Sequence, residues 1–171
     1  MLSEPIDKLT KSIEEVAIGQ SFDTDITPAT ATDIRRLGKN WNFDWKQERS
    51  EWQVYRLIAP AVNATIQGLI SLALRDDHVF VNLLESHPQN VGRGKKYAGV
   101  AGNLMAFAAK LSRDAGFGGF VTFVAKTELI AHYEWTLGAF RVGRSAKMIV
   151  DRAAAKKLIQ QYFGGHHGID S

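Results

Sequence analysis

A basic, glycine-rich stretch near the middle of the chain has the residue types that bind phosphate. It reads Gly-Arg-Gly-Lys-Lys-Tyr-Ala-Gly over residues 92–99 and is followed directly by a helical pattern. The apolar positions of that pattern recur every three to four residues, at Val100, Leu104, Phe107 and Leu111. The first N–H groups of a helix point at an anion bound there, and glycines let the backbone approach it closely. The stretch therefore predicts a loop that holds a phosphate or pyrophosphate group.

Two common phosphate-loop patterns do not fit this stretch. The Walker form needs a glycine five residues before Gly94 and a serine or threonine after Lys95, where the chain has Gln89 and Lys96. The dinucleotide form, G-x-G-x-x-G, fails because Tyr97 occupies its third glycine position. These two patterns therefore do not identify a ligand, and an ordinary strand–loop–helix connection with a solvated basic loop remains the alternative.

Several strands are expected to position this loop. An apolar run over residues 79–84 precedes it and predicts a buried strand. Upstream, residues 52–59 and 65–74 are two strand-like runs joined by a turn-rich link, which favours an antiparallel hairpin. Gly68, within the second run, is typical of a bulge or a close approach. Downstream, residues 120–125 form another buried strand, and a strand–helix–strand unit of this length is expected to be parallel.

The remaining segments are predicted to flank these strands. The expected elements are a helix over 5–18 stopped by Gly19, a strand over 22–27, a short helix over 33–37 capped by Thr32, a helix capped by Thr127, a strand over 147–150 and a helix over 153–162.

Composition narrows the class of protein. With 171 residues, of which 45% are hydrophobic and 23% charged, the chain is expected to form one globular domain. The absence of cysteine excludes disulfides, thiolate metal sites and a cysteine nucleophile. The net charge of +3 suits an anionic small ligand as well as a weak contact with nucleic acid. With no long apolar run and an acidic start, the chain is expected to be cytoplasmic.

Two partial motifs give this chain a family resemblance. The register from Lys96 to Ala101 resembles the R/Q-x-x-G-x-G/A pyrophosphate loop of the GNAT superfamily of acyl-CoA-dependent N-acyltransferases, with lysine in place of arginine or glutamine. Residues 132–140 are similar to the closing Y-E-K-L-G-F segment of that family but two residues longer. Lys126 stands where the family has asparagine. The resemblance covers residues 52–150, whose strands follow the family's order.

The resemblance implies an α/β fold with an α+β mixed sheet. Its N-terminal strands would be antiparallel, followed by a parallel, splayed strand pair, with flanking helices. A single domain over 1–171 would divide into an N-terminal helix and acceptor-side segment (1–50), a core (52–150) and a mobile tail (164–171). The aromatic residues of the acceptor-side segment and its border could line an acceptor pocket: Trp41, Phe43, Trp45 and Trp52.

The implied co-substrate is acetyl-CoA or another acyl-CoA, without a metal. The strand backbone from Leu83 to Glu85 would hold the pantetheine arm as an added strand would. The residues implied to contact the cofactor are Leu83, Leu84, Val91, Arg93, Lys96, Tyr97, Ala98, Gly99, Val100, Ala101 and Lys126.

The resemblance also implies a reaction and its catalytic residues. An amine would attack the thioester directly in a ternary complex, and Tyr133 would protonate the departing thiolate. Glu85 is the first candidate for the base and His87 the second. His132, adjacent to Tyr133, is expected to lie on a different helix face. The acceptor is not specified.

Two other functions remain open. A non-catalytic protein with the same fold, which binds CoA or acts through partner contacts, is favoured by the lysines at 96 and 126 and by the longer closing segment. A nucleic-acid-facing protein would use Arg93, Lys95 and Lys96 together with exposed aromatic side chains. An acyltransferase that acts on a charged RNA would combine two of these functions.

Overall fold

The computed structural model describes residues 1–9 and 12–164, which form a mixed sheet with its helices. The strands are β1 (Ile13–Glu15), β2 (Gln20–Phe22), β3 (Asp25–Pro28), β4 (Gln53–Ile58), β5 (Gly68–Leu74), β6 (Val79–Ser86), β7 (Tyr97–Ala98), β8 (Val121–Val124), β9 (Phe140–Arg141) and β10 (Lys147–Val150). The α-helices are α1 (Ala31–Arg35), α2 (Trp45–Glu51), α3 (Val100–Asp114), α4 (Ile130–Leu137) and α5 (Arg152–Phe163).

The main sheet has the strand order β3-β4-β5-β6-β8-β10-β9. Its neighbouring strands are antiparallel except β6 and β8, which run parallel with α3 between them in the chain. The predicted hairpin (β4–β5) and the predicted parallel unit (β6–α3–β8) are confirmed, and with them the mixed-sheet fold class. A smaller antiparallel sheet, β2-β1-β7, ends directly before α3.

Two apolar clusters cover the main sheet. The larger includes α3 and α5 with the sheet residues Leu57 and Ile70, and the smaller joins Trp45 of α2 to Val54 and Leu69. Neighbouring residues of β5 thus enter different clusters, as side chains that alternate across a sheet must. Helix α3 can pack closely on β5 because Gly68 has no side chain; a Cβ there would lie 2.5 Å from a Val100 methyl group.

The helix predicted over residues 5–18 is wrong. Residues 1–9 contain no helical turn, and β1 follows at residue 13. The side chains of Leu2 and Ile6 are 2% and 6% exposed and belong to the larger cluster. Burial against the sheet therefore overrides the helical spacing of the apolar residues. Gly19, expected to stop the helix, turns the chain between β1 and β2 with a φ of 66°.

Two predicted helix caps are also wrong. Helix α1 is capped by Thr30, not Thr32, because the Thr30 hydroxyl accepts the Asp33 N–H at 3.0 Å while the Asp33 carboxylate accepts the Thr30 N–H at 2.8 Å. Thr127 makes no side-chain cap; it starts a 3₁₀ turn, Thr127–Leu129, that leads into α4.

Of the remaining predicted elements, two are confirmed and one is divided in the structure. The strand over 147–150 and the helix over 153–162 are confirmed as β10 and α5. The strand expected over 22–27 is split between β2 and β3, and Pro28 ends β3 at the edge of the sheet. The mobile tail predicted for 164–171 lies, apart from Gly164, outside the described residues. No helix of the described residues is long and apolar enough to cross a membrane.

Candidate functional site

A groove opens in the main sheet where β6 and β8 separate. The two strands pair only as far as Val81 and Phe123, whereas β6 continues to Ser86. Consecutive residues of β5 pair with Leu83 and Val81, which leaves Asn82 as an extra residue in β6. Such a bulge bends its strand, so it accounts for the separation that begins one residue after the last pair.

The bulge also decides which groups of β6 face the groove. The Ser86 N–H donates to a Glu4 carboxylate oxygen at 2.6 Å, on the side away from β5. Because N–H directions alternate along a strand, the Leu84 N–H points the same way. Within the predicted pantetheine-binding backbone from Leu83 to Glu85, the Leu83 N–H donates to the Ser71 hydroxyl at 2.9 Å. The donors that line the groove are therefore those of Leu84 and Ser86.

The predicted phosphate loop does begin a helix. Gly99 is the N-cap of α3, with a φ of 98° that only glycine adopts easily. Its N–H donates to one Asp7 carboxylate oxygen at 2.9 Å, and the Lys95 ammonium donates to the other at 2.8 Å. A carboxylate of the chain itself thus lies at the start of α3, where the sequence predicts a pyrophosphate.

The other predicted cofactor-contacting residues range from buried to exposed. Tyr97, Val100 and Ala101 are buried in the core, so they offer a ligand backbone groups rather than side chains. The exposed group offers side chains, and the Lys96 ammonium lies 5.6 Å from the centre of the Tyr97 ring. The half-buried member of the set is Ala98, and the exposed members are Val91, Arg93, Lys96 and Lys126.

Tyr133 directs its hydroxyl into the groove. The ring is 1% exposed and meets the Phe123 ring edge-on, with centroids 5.3 Å apart. The hydroxyl donates to the Glu4 carbonyl at 2.5 Å. Burial, with the Glu4 carboxylate nearby, raises the pKa of the Tyr133 phenol well above its usual value. The group is therefore protonated at neutral pH and has a proton to give.

Glu85 lies on the opposite face of the sheet from the larger cluster and is 3% exposed. One carboxylate oxygen accepts the Asn42 N–H at 2.6 Å, and the other accepts the Phe43 N–H at 3.2 Å and the Trp45 indole N–H at 2.8 Å. A carboxylate has about four lone-pair positions, so roughly one remains for a further donor. Glu85 thus anchors the aromatic segment, and the structure separates it from the groove-facing Tyr133 hydroxyl by the plane of the sheet.

The two histidines near the site both have their acceptor nitrogens in use. His87 Nδ1 accepts the Gln89 N–H at 3.0 Å, and burial lowers the pKa of this imidazole. His132 Nε2 accepts the Ile6 N–H at 2.8 Å, beside the Tyr133 contact to the same segment. Residues 1–9 thus run past both His132 and Tyr133, although the two residues are adjacent positions of one helix.

A cavity of about 310 Å³ lies beside the aromatic segment. Trp41 and His87 form one part of its wall, with their rings edge-to-face at 5.5 Å, and an Arg56–Asp33 ion pair of 3.2 Å forms another. The buried Trp41 indole N–H has no hydrogen-bond partner among the described residues. This nitrogen is sealed from solvent, so a ligand in the cavity would meet the charged Arg56–Asp33 pair rather than the indole N–H.

Sequence reasoning missed Glu4, Asp7 and Ser86. Each acts through a contact between residues more than 80 positions apart, and no local spacing indicates such contacts. Asp7 falls within the helix predicted over 5–18, and Glu4 directly precedes it. Within residues 1–9 and 12–164 no group of three or more His, Asp or Glu side chains is placed to hold a metal ion.

The fold matches that of known N-acetyltransferases. AtaT complexed with acetyl-methionyl-tRNAfMet is 17% identical, with a TM-score of 0.54 over 80% of this chain and 99% of that one. The AtaTR complex bound with acetyl-CoA is 17% identical, with a TM-score of 0.52 over 80% of this chain and 98% of that one. The ribosomal-protein-S18-alanine N-acetyltransferase from Escherichia coli is 13% identical, with a TM-score of 0.52 over 75% of this chain and 94% of that one. The chain therefore has the GNAT fold. No family model matches it, and no curated protein matches it in sequence.

Proposed function

We propose that the protein is an acyl-CoA-dependent N-acyltransferase that uses acetyl-CoA. The observation that carries this proposal is the separation of β6 from β8 at the Asn82 bulge, which opens a groove with N–H donors on one edge. The same groove receives the Tyr133 hydroxyl and leads to the start of α3 at Gly99. The likeness to solved acetyltransferases supports the fold on which this geometry depends.

In this proposal the pantetheine arm lies along β6, where the Leu84 and Ser86 N–H groups bind its amide oxygens and the thioester carbonyl. The pyrophosphate takes the α3 start, where Gly99 and the following backbone N–H groups are joined by Lys95, Lys96 and Arg93. The lysine at 96 supplies charge without the forked geometry of arginine.

The proposed reaction is a direct transfer. The amine nitrogen of the acceptor, after losing a proton to a base, forms a bond to the acyl carbon as the carbon–sulfur bond breaks. The Tyr133 phenol gives its proton to the sulfur, and the second proton of the amine leaves with the base or solvent. Glu85 is the proposed base. It must reach the ammonium proton through its remaining lone pair or one water molecule, from the face that carries the acceptor cavity.

The acceptor is proposed to enter at the cavity beside Trp41. The Arg56–Asp33 ion pair in the cavity wall suits a polar acceptor, which it can bind through the guanidinium or the carboxylate. An aminoacyl-tRNA and a protein N-terminus are the two classes to test first, because solved relatives of the fold are named for each. A cytoplasmic location is part of this proposal.

Calorimetric titration with acetyl-CoA, followed by a thiol-release assay across amines, aminoacyl-tRNAs and N-terminal peptides, tests the proposal. Saturable binding and release of one thiol per acylated acceptor are expected. Acetyl-CoA binding with no transfer to any acceptor class would favour the second candidate, a non-catalytic protein of this fold. The occupation of the groove by residues 1–9 is the observation that favours that candidate.

A nucleic-acid-facing role is a weaker alternative, because Lys95 of the basic loop is already paired with Asp7. Salt-dependent RNA binding without acetyl-CoA binding would support it.

A further inference from the structure

Residues 1–9 bind both edges of the groove. The Leu2 N–H donates to the Val124 carbonyl at 2.7 Å, and the Leu2 carbonyl accepts the Lys126 N–H at 2.8 Å, on the edge of β8 that the separation exposes. Opposite, the Glu4 carboxylate accepts the Ser86 N–H and hydroxyl, each at 2.6 Å. The segment therefore takes the place of a strand between β6 and β8.

The segment also reaches both functional ends of the groove. Its Glu4 carbonyl accepts the Tyr133 hydroxyl, and its Asp7 carboxylate holds the Gly99 N–H and the Lys95 ammonium. A main-chain carbonyl lies at the phenol, and an anion lies at the helix start. In the proposed complex an acyl-CoA would bring its thioester sulfur to the same phenol and its pyrophosphate to the same helix start.

The segment is held by apolar and polar contacts together. Leu2 and Ile6 are buried in the larger cluster, the Ile6 N–H donates to His132, and the Lys8 carbonyl accepts the Tyr162 hydroxyl. Between them, these contacts extend over nearly the whole segment. An acyl-CoA and residues 1–9 cannot use the Ser86, Tyr133 and Gly99 donors at the same time.

We propose that the groove is also a peptide-binding site, that residues 1–9 of this chain are its peptide, and that they compete with acyl-CoA for it. This inference rests on the proposed function. The protein is then self-inhibited, and acyl-CoA binds only in the fraction of molecules whose segment has left the groove.

Two variants test the competition by calorimetric titration with acetyl-CoA. One lacks residues 2–9. The other, Glu4→Ala with Asp7→Ala, keeps Leu2 and Ile6 in the core and so remains informative if the deletion does not fold. Each is expected to bind acetyl-CoA at least about tenfold more tightly than the full chain, because less of the protein is in the closed form.

A matched control removes two carboxylates elsewhere. Glu51→Ala with Asp114→Ala changes the net charge by the same amount at exposed positions, at the ends of α2 and α3. Its acetyl-CoA affinity should stay within about twofold of the full chain. This control distinguishes release of residues 1–9 from a general electrostatic attraction of the polyanionic acetyl-CoA.

Hydrogen exchange of the full chain gives a readout besides affinity. With saturating acetyl-CoA, the Ile6 amide should exchange faster, because its bond to His132 is lost when the segment leaves. A synthetic peptide of residues 1–9 should compete with acetyl-CoA on the deletion variant, and the peptide with alanine at positions 4 and 7 should not.

The outcomes separate the two proposals. Equal acetyl-CoA affinity in the full chain and both variants, or unchanged exchange at Ile6 under saturation, overturns the competition and leaves the acyltransferase proposal standing. Absence of acetyl-CoA binding in all of these proteins overturns both.

Discussion

The Tyr133 hydroxyl donates a 2.5 Å hydrogen bond to the Glu4 carbonyl, between residues 129 positions apart in the chain. A second buried tyrosine, Tyr162, donates to the Lys8 carbonyl of the same segment. The two phenols thus hold one peptide in the same way, and burial raises the pKa of both. Only the Tyr133 phenol lies beside β8 at the opening of the groove. The pair therefore offers a matched comparison between a chemical and a structural role.

Tyr133→Phe is expected to lower turnover by roughly 10²-fold, the contribution of a positioned general acid. Acetyl-CoA affinity should change by less than about 1 kcal/mol, because phenylalanine fills the same space. Tyr162→Phe loses an equivalent hydrogen bond and should keep most of its turnover. Single-turnover kinetics of both variants makes the comparison. Equal losses in the two would remove the acid role from Tyr133.

Glu85→Gln tests whether Glu85 acts as the general base or only holds the aromatic segment in place. An amide offers one acceptor oxygen to the three N–H donors, so the free energy of unfolding should fall by about 1–3 kcal/mol. If Glu85 is the base, turnover should also fall by about 10²-fold or more. Trp45→Phe removes one donor and leaves the carboxylate in place, and its effect on turnover should be much smaller. Similar turnover losses in both variants would mean that Glu85 only positions the aromatic segment.

Gly99→Ala is expected to destabilise the protein strongly. Its Cβ would lie 2.6 Å from the Ser12 carbonyl oxygen, and the φ of 98° is unfavourable for any side chain. Gly94→Ala, with a φ of 73° and open space around the Cβ, isolates the conformational cost of about 1–2 kcal/mol. The urea midpoint of Gly99→Ala should be clearly the lower of the two. Matching midpoints would show that β1 does not pack against the loop as described.

The pH dependence of stability should report on Glu4. Burial first, then the nearby Glu85 and Asp7 carboxylates, raises the pKa of the Glu4 carboxyl, while its bonds to Ser86 act the other way. A raised pKa means that the folded state binds a proton more tightly than the unfolded state, so stability is gained as pH falls towards the ordinary pKa. Glu4→Gln keeps the shape without the charge. The stability of this variant relative to wild type should therefore fall between about pH 7 and pH 5, and a relative stability that rises on acidification would contradict this assignment.

Local sequence patterns correctly predicted the elements whose own residues favour a strand or a helix. Residues 79–84 and 120–125 carry strand-forming apolar runs, and α3 carries a regular apolar stripe behind Gly99. The bulge at Asn82 has no such signature, because it arises from the register between β5 and β6. The sequence therefore predicts only that the backbone from Leu83 to Glu85 holds the pantetheine, and the register with β5 is needed to say which N–H groups face the groove.

The site was predictable only where a motif marks it. Gly99 and Tyr133 were identified through their motifs, and the structure brings both to residues 1–9. The helical reading of residues 5–18 failed because Leu2, Ile6 and Asp7 serve distant partners. An amphipathic pattern indicates that one side is buried, but it does not specify what the buried side meets.

The burial of Leu2 and Ile6 has a practical consequence for ligand screening. A ligand that binds the folded state normally raises the melting temperature by an amount that grows with the ratio of its concentration to its Kd. Here an acyl-CoA would first have to expose two core side chains, each worth about 1.5–3 kcal/mol when buried. Much of the expected thermal shift would be cancelled, so melting curves of the full chain would miss true ligands that the shortened chain reveals.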